Sequence, residues 1–132
     1  MHRVRTRQDP GERTLNAAFN YANTLFVLTR YKEAKSLTRK AMPVARRVLG
    51  EGDVLTLKIR CTYACALVNE PSATLDDLRE AVKTLEETER KARRVLGGAH
   101  PTTEGIEYVL RDARAALAAR ETPPSQPSSE SV

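Results

Sequence analysis

The sequence predicts an all-α chain: a short solenoid of helical hairpins, two helix pairs followed by a single closing helix. Three internal matches point there. Arg46-Arg47-Val48-Leu49-Gly50 recurs as Arg93-Arg94-Val95-Leu96-Gly97, 47 residues on. Thr14-Leu15, Tyr21-Ala22 and Leu25 recur as Thr56-Leu57, Tyr63-Ala64 and Leu67, 42 residues on. Tyr31-Lys32-Glu33-Ala34 is answered by Leu78-Arg79-Glu80-Ala81, again at 47. A period near 40 residues marks units that bury apolar faces on one another, and it argues against a globular enzyme fold. The change of offset places five extra residues in the second unit, within Asn69-Glu70-Pro71-Ser72-Ala73-Thr74. That insertion is expected to lengthen one turn without touching the apolar stripes beside it.

Each element follows from its periodicity and its punctuation. Residues 12–29 place Leu15, Ala18, Phe19, Ala22, Leu25 and Phe26 at spacings of three and four, the signature of one helix face. Residues 31–49 repeat the pattern with Tyr31, Ala34, Leu37, Ala41, Val44, Ala45 and Val48. Pro43 sits inside this second helix, where it removes the hydrogen bond to the Arg39 carbonyl and predicts a kink. Gly50 supplies a left-handed cap after Arg46 and Arg47 have favoured the negative end of the helix dipole. Asp53 is a good N-cap for a third helix over residues 54–69. Its apolar residues, Leu55, Leu57, Ile59, Cys61, Tyr63 and Leu67, surround much of the circumference, which predicts a helix sandwiched between neighbours.

Pro71 ends that helix, and Thr74-Leu75-Asp76-Asp77 resembles a capping box. A fourth helix then carries Leu75, Leu78, Val82, Leu85, Ala92 and Leu96 as one stripe to Gly97-Gly98. Pro101 suits the first position of a fifth helix over residues 102–120, lined by Ile106, Val109, Leu110, Ala113 and Leu117. With no partner helix after it, this helix is expected to cap the stack.

The chain has 132 residues, 40% hydrophobic, 30% charged and 5% aromatic, enough for one domain with a core over residues 11–121. No run of 18 apolar residues occurs, so no membrane helix is expected. Residues 1–10 form a basic arm with Arg3, Arg5 and Arg7 but no apolar stretch behind them, so no secretory signal is read. Asp9 and Pro10 interrupt any mitochondrial presequence, and a cytoplasmic location is expected. Residues 122–132 are rich in proline and serine and read as a disordered tail. The charge is uneven: residues 1–50 carry +8 and residues 51–132 carry −3. A basic first half suggests nucleic acid or an acidic peptide. Lys32, Lys35, Arg39, Lys40, Arg46 and Arg47, however, occupy polar helix positions where solvated charge is ordinary, and no aromatic residues interleave with them.

Catalytic and metal chemistry finds little support. Cys61 and Cys65 stand four apart on one helix face, a spacing that ligates zinc when histidines complete the set. The two histidines, His2 in the arm and His100 at a helix start, do not complete it, so the cysteines read as small buried side chains. His100 has no nucleophile or paired carboxylate near it in sequence and reads as a turn residue. Asp76-Asp77 and Glu86-Glu87 read as dipole and solvent-face carboxylates. Gly97-Gly98 lacks the lysine and hydroxyl residue of a phosphate loop. Neither an enzyme nor a cofactor is expected.

Tyr31-x-x-Ala34 followed by Ala41 resembles the second helix of a tetratricopeptide repeat, and Tyr21-Ala22-x-x-Leu25 resembles its first. The ending Arg-Val-Leu-Gly, followed by Ala99-His100-Pro101-x-Thr103, resembles the longer repeat of the kinesin light chain family over residues 11–120. The chain departs from the pattern where paired helices usually meet at a glycine: Thr29 stands there in the first unit. No heptad segment precedes the pairs, so the part of a light chain that holds a motor subunit has no counterpart.

This resemblance implies a protein-interaction scaffold whose concave face, lined by the first helix of each pair, binds an extended peptide. The positions matching the family's groove are Asn16, Phe19, Asn20, Asn23 and Phe26 in the first unit. In the second they are Lys58, Cys61, Thr62, Cys65 and Val68. Asparagine amides donate and accept together, which suits a peptide backbone. Asn20 and Asn23 share a helix face, and Lys58 is expected alongside them, suiting a partner segment that carries an acid. Two other classes stay open: a basic helical protein associating with nucleic acid, and a fragment of a longer repeat protein that self-associates.

Overall fold

The computed structural model describes residues 10–122; the basic arm before Pro10 and the tail after Thr122 lie outside the described residues. Five helices follow one another: α1 (Pro10–Val27), α2 (Tyr31–Val48), α3 (Val54–Asn69), α4 (Leu75–Leu96) and α5 (Pro101–Glu121). Among the described residues there is no strand. The fold is all-α, as the periodicities predict.

The helix ends obey local chemistry. Asp53 accepts a hydrogen bond from the Leu55 N–H at 2.9 Å and opens α3. Thr74 and Asp77 form the reciprocal capping box of α4, at 3.0 Å and 2.9 Å. His100 Nδ1 accepts from the Thr102 N–H at 3.1 Å, and Pro101 occupies the first turn of α5. Gly50 sits just past α2 at a φ of +97°, where its N–H reaches the Ala45 and Arg46 carbonyls. α2 runs as one helix through Pro43.

α1 begins at Pro10, two residues earlier than its apolar pattern, and ends at Val27, two residues sooner than expected. The reason is a Schellman turn. The Arg30 N–H donates to the Leu25 carbonyl at 2.8 Å and the Thr29 N–H to the Phe26 carbonyl at 2.9 Å. Thr29 therefore takes the left-handed conformation, at a φ of 59°, that glycine usually fills. A β-branched residue there is strained, by roughly 1–2 kcal/mol. Thr29→Gly is expected to raise the unfolding free energy by about 0.5–1 kcal/mol, part of the relief being offset by the looser unfolded chain. A denaturant midpoint that falls would show that the Thr29 side chain holds the turn.

Each helix packs on the next, and α3 also touches α1 and α5. α3 thus lies at the centre, with α1 and α5 on its flanks and α2 and α4 across it. Nine of its 16 residues are buried, which explains why its apolar residues ring the circumference. Leu57, Tyr63, Ala64 and Leu67 join Leu85, Ile106 and Leu110 in the larger core. Ile59 faces the other way, into a cluster with Leu15, Ala41 and Ala45. Ala66 joins Leu25 and Ala34 in a third. The many alanines let helix axes approach closely.

The insertion is not the detached turn its sequence suggests. Ala73 is buried, its carbonyl accepts a hydrogen bond from Arg120 of α5 at 3.0 Å, and Thr74 caps α4. The loop ties α5 to the start of α4, so removing it costs a cap and a buried contact. A short polar segment cannot reveal from its own composition that another helix lies over it.

Candidate functional site

α1, α3 and α5 share one side of the molecule, and two clefts open along it. One, of about 320 Å³, is walled by Phe19 of α1, by Lys58, Cys61 and Thr62 of α3, and by Gly105, Ile106 and Val109 of α5. The other, of about 300 Å³, is lined by Glu12, Asn16, Phe19 and Asn20 of α1 and by Asp53 and Lys58 around the start of α3. Phe19 and Lys58 belong to both, so the clefts meet between α1 and α3. The first is mainly apolar. The second is the more polar of the two, mixing charged and amide groups with Phe19, Val54 and Leu55.

The expected groove residues divide accordingly. Asn16, Phe19, Asn20 and Lys58 come together in the second cleft, so Lys58 lies with Asn20 as expected but not with Asn23. Phe19, Lys58, Cys61 and Thr62 come together in the apolar one. Asn23, Phe26, Cys65 and Val68 line neither. The Asn23 Oδ1 accepts a long hydrogen bond from the Thr62 hydroxyl at 3.5 Å, which links α1 to α3. The Phe26 ring packs edge-on against Tyr31, centroids 5.1 Å apart. Val68 packs against the larger core. The Asn16 amide donates to the Glu12 carbonyl of its own helix at 3.1 Å, which leaves less of it for a ligand.

Two contributions escaped the sequence reading. Glu12 and Asp53 share the polar cleft with Lys58, so the positive charge expected there has carboxylates for neighbours. α5, read only as a closing helix, supplies a full wall. A signal for that wall was present. Extending the 47-residue offset carries Lys58 to Gly105 and Thr62 to Val109.

The cysteine pair is chemically quiet at Cys61. A hydrogen bond to Cys65, with burial adding to it, pushes the Cys61 thiol well above the usual range. The same hydrogen bond lowers Cys65. Cys61 therefore presents a protonated, weakly polar surface to the cleft. Among the described residues no group of three or more histidine, cysteine or carboxylate side chains could hold a metal ion.

The opposite face of α3 is bound into the fold by polar bridges. Arg39 donates to the Tyr63 hydroxyl at 2.9 Å, and that hydroxyl donates to Glu80 at 2.5 Å, which joins α2, α3 and α4. One turn away the Arg60 guanidinium, 8% exposed, meets Glu87 at 3.3 Å. Burial pulls the Arg60 pKa down, and nearby Arg46 adds to the effect. α2's basic residues are partly answered by acids. Lys32 and Lys35 help to hold the Glu70 carboxyl below its ordinary range, after the hydrogen bond from Ser72. Lys35 and Arg39 do the same for Asp77, after its capping bond with the Thr74 N–H.

Among the described residues no helix is long and apolar enough to cross a membrane. Comparison of the chain with protein-family models, with curated proteins and with solved structures finds no match.

Proposed function

We propose that the chain is a non-catalytic protein-interaction scaffold of the cytoplasm, which holds an extended partner peptide along the α1, α3 and α5 side. In this reading the helices stack as a short right-handed solenoid of the tetratricopeptide type, similar to the kinesin light chain repeats. One observation carries it: an apolar and a polar cleft meet at Phe19 and Lys58, which makes a groove across three helices. A groove with an apolar stretch and a few convergent polar groups suits a peptide that seats a side chain and fixes its backbone. The charge of Lys58 suggests an acid over it in the ligand. The acids facing Lys35 and Arg39 favour a peptide over nucleic acid on the basic helix.

A displayed library of random peptides, selected against the full chain, is expected to yield specific binders. Charge-assisted hydrogen bonds contribute roughly 1.5–3 kcal/mol each when desolvated. Asn20→Ala with Lys58→Ala is therefore expected to weaken a selected peptide by about tenfold or more. The fold should survive, because exposed polar substitutions usually change stability by within about 0.5 kcal/mol. A double variant that binds as tightly as the parent removes the groove from consideration. A double variant that unfolds makes these residues structural.

A further inference from the structure

Among the described residues, α1 carries an uncovered face whose equivalents on α3 and α5 are covered. In α3 the stripe Thr56, Ile59, Tyr63 and Ala66 is buried, none of the four more than 2% exposed. In α5 the matching stripe, Thr103, Ile106, Leu110 and Ala113, is buried as well. In α1 the same register places Thr14, Ala17, Tyr21 and Thr24, extended by Leu28, and all five are exposed. Tyr21 is 58% exposed where its counterpart Tyr63 is 2% exposed.

The filled faces show what fits. Against α3 lies α2, with Ala34, Thr38, Ala41 and Ala45 buried; against α5 lies α4, with Ala81, Leu85, Thr88 and Ala92 buried. Both fillers use the same four-three-four spacing with mostly small residues. The contact is also specific. The Thr56 hydroxyl donates to the Ala45 carbonyl at 3.4 Å, and Arg39 of α2 donates to the Tyr63 hydroxyl at 2.9 Å.

The composition of α1 matches an enclosed helix. No charged residue occurs from Thr14 to Thr29, whereas α2 carries seven in 18 residues. The Thr14 and Thr24 hydroxyls donate back to the Pro10 and Asn20 carbonyls of their own helix, at 2.9 Å and 3.0 Å. Their methyl groups are thus the part of each side chain left for contact. An exposed, uncharged stripe with Tyr21 and Leu28 on it is the mark of an interaction surface.

We propose that this face of α1 docks a helix of another chain, one that presents alanine- and threonine-sized residues at the spacing of α2 and an arginine placed to donate to the Tyr21 hydroxyl. A second copy of this chain is a poor occupant, because its own small-residue stripes on α2 and α4 are already buried against α3 and α5. The face is separate from the peptide groove, so the proposal does not rest on that reading.

The probe is a peptide of residues 30–50, the sequence of α2, held helical by a hydrocarbon staple at positions 36 and 40. Those positions lie opposite the alanine stripe. Titrated into the nitrogen-15-labelled full chain, it is expected to give saturable shifts at Thr14, Ala17, Tyr21, Thr24 and Leu28. Tyr21→Asp, or Leu28→Asp as a second variant, is expected to weaken binding by about tenfold or more with an unchanged circular dichroism spectrum. A peptide carrying Ala41→Asp is expected to fail. The proposal is overturned if no saturable shift occurs up to about 1 mM peptide. It is equally overturned if the shifts fall on the α3 stripe, which would mean replacement of the chain's own α2. Dimerisation of the chain alone, reversed by Tyr21→Asp, would overturn it in favour of a face that pairs with itself.

Discussion

Leu57→Ala is expected to lower the unfolding free energy by about 3 kcal/mol, within the 2–5 kcal/mol typical of buried leucines. Leu57 is fully buried in the larger core, beneath residues of α4 and α5. The loss combines the transfer of the removed carbons with the cavity that remains, and α3 has little freedom to collapse into that cavity. It is held on four sides, by α1, α2, α4 and α5. Domains of this size are stable by only about 5–15 kcal/mol, so one such change removes a large share. Urea denaturation should show the midpoint falling with the slope unchanged. Leu117→Ala, at the half-buried edge of the same core, should cost clearly less. Equal losses at the two positions would mean that α3 is not the central support of the fold.

Gly105→Leu is expected to abolish binding of a groove peptide while leaving the melting temperature unchanged or higher. Glycine within a helix costs about 1 kcal/mol relative to alanine. Where packing requires a glycine, that cost is explained. Here a Cβ built on Gly105 meets nothing within 4 Å, so packing does not require it. Gly105 instead lines the apolar cleft opposite Phe19 and Lys58, where the missing side chain leaves room. A leucine would occupy that room and improve the helix at once. The two readouts separate the explanations. Lower stability would mean that Gly105 serves the fold. Unchanged peptide affinity would mean that α5 stands outside the groove. Gly105→Ala is the graded control, with a smaller loss of affinity and a gain of up to about 1 kcal/mol in stability.

The groove was partly legible because groove positions recur with the repeat. The resemblance to the repeat family implied Asn16, Asn20 and Lys58 as groove positions, and they do share a cleft. Asn23 shares the register but bonds to Thr62 where α1 and α3 approach, and Cys65 bonds to Cys61 within α3, so both side chains are spent inside the fold. Periodicity gives the angle of a residue around its helix. It does not give the distance to the next helix, which decides whether that angle opens on a cleft or on a contact. Arg60 shows the same limit: its place in the heart of a helix pattern carries no sign that Glu87 stands 27 residues away in sequence and within 3.3 Å in space.

By itself the sequence determined the number of helices, most of their ends, and the enclosure of α3. Those depend on interactions within a few residues: apolar spacing, the Asp53 and Thr74 caps, the freedom of Gly50, and Pro101 at a first turn. Only the tertiary structure decided that Thr29 would bear a left-handed turn, that the inserted loop would be pinned by Arg120, that α5 would wall the groove, and that the Tyr21 stripe would lie bare while the Tyr63 stripe is covered. Tyr21 and Tyr63 occupy equivalent positions in similar local sequence. They differ in what packs against them, and that is set by residues far along the chain.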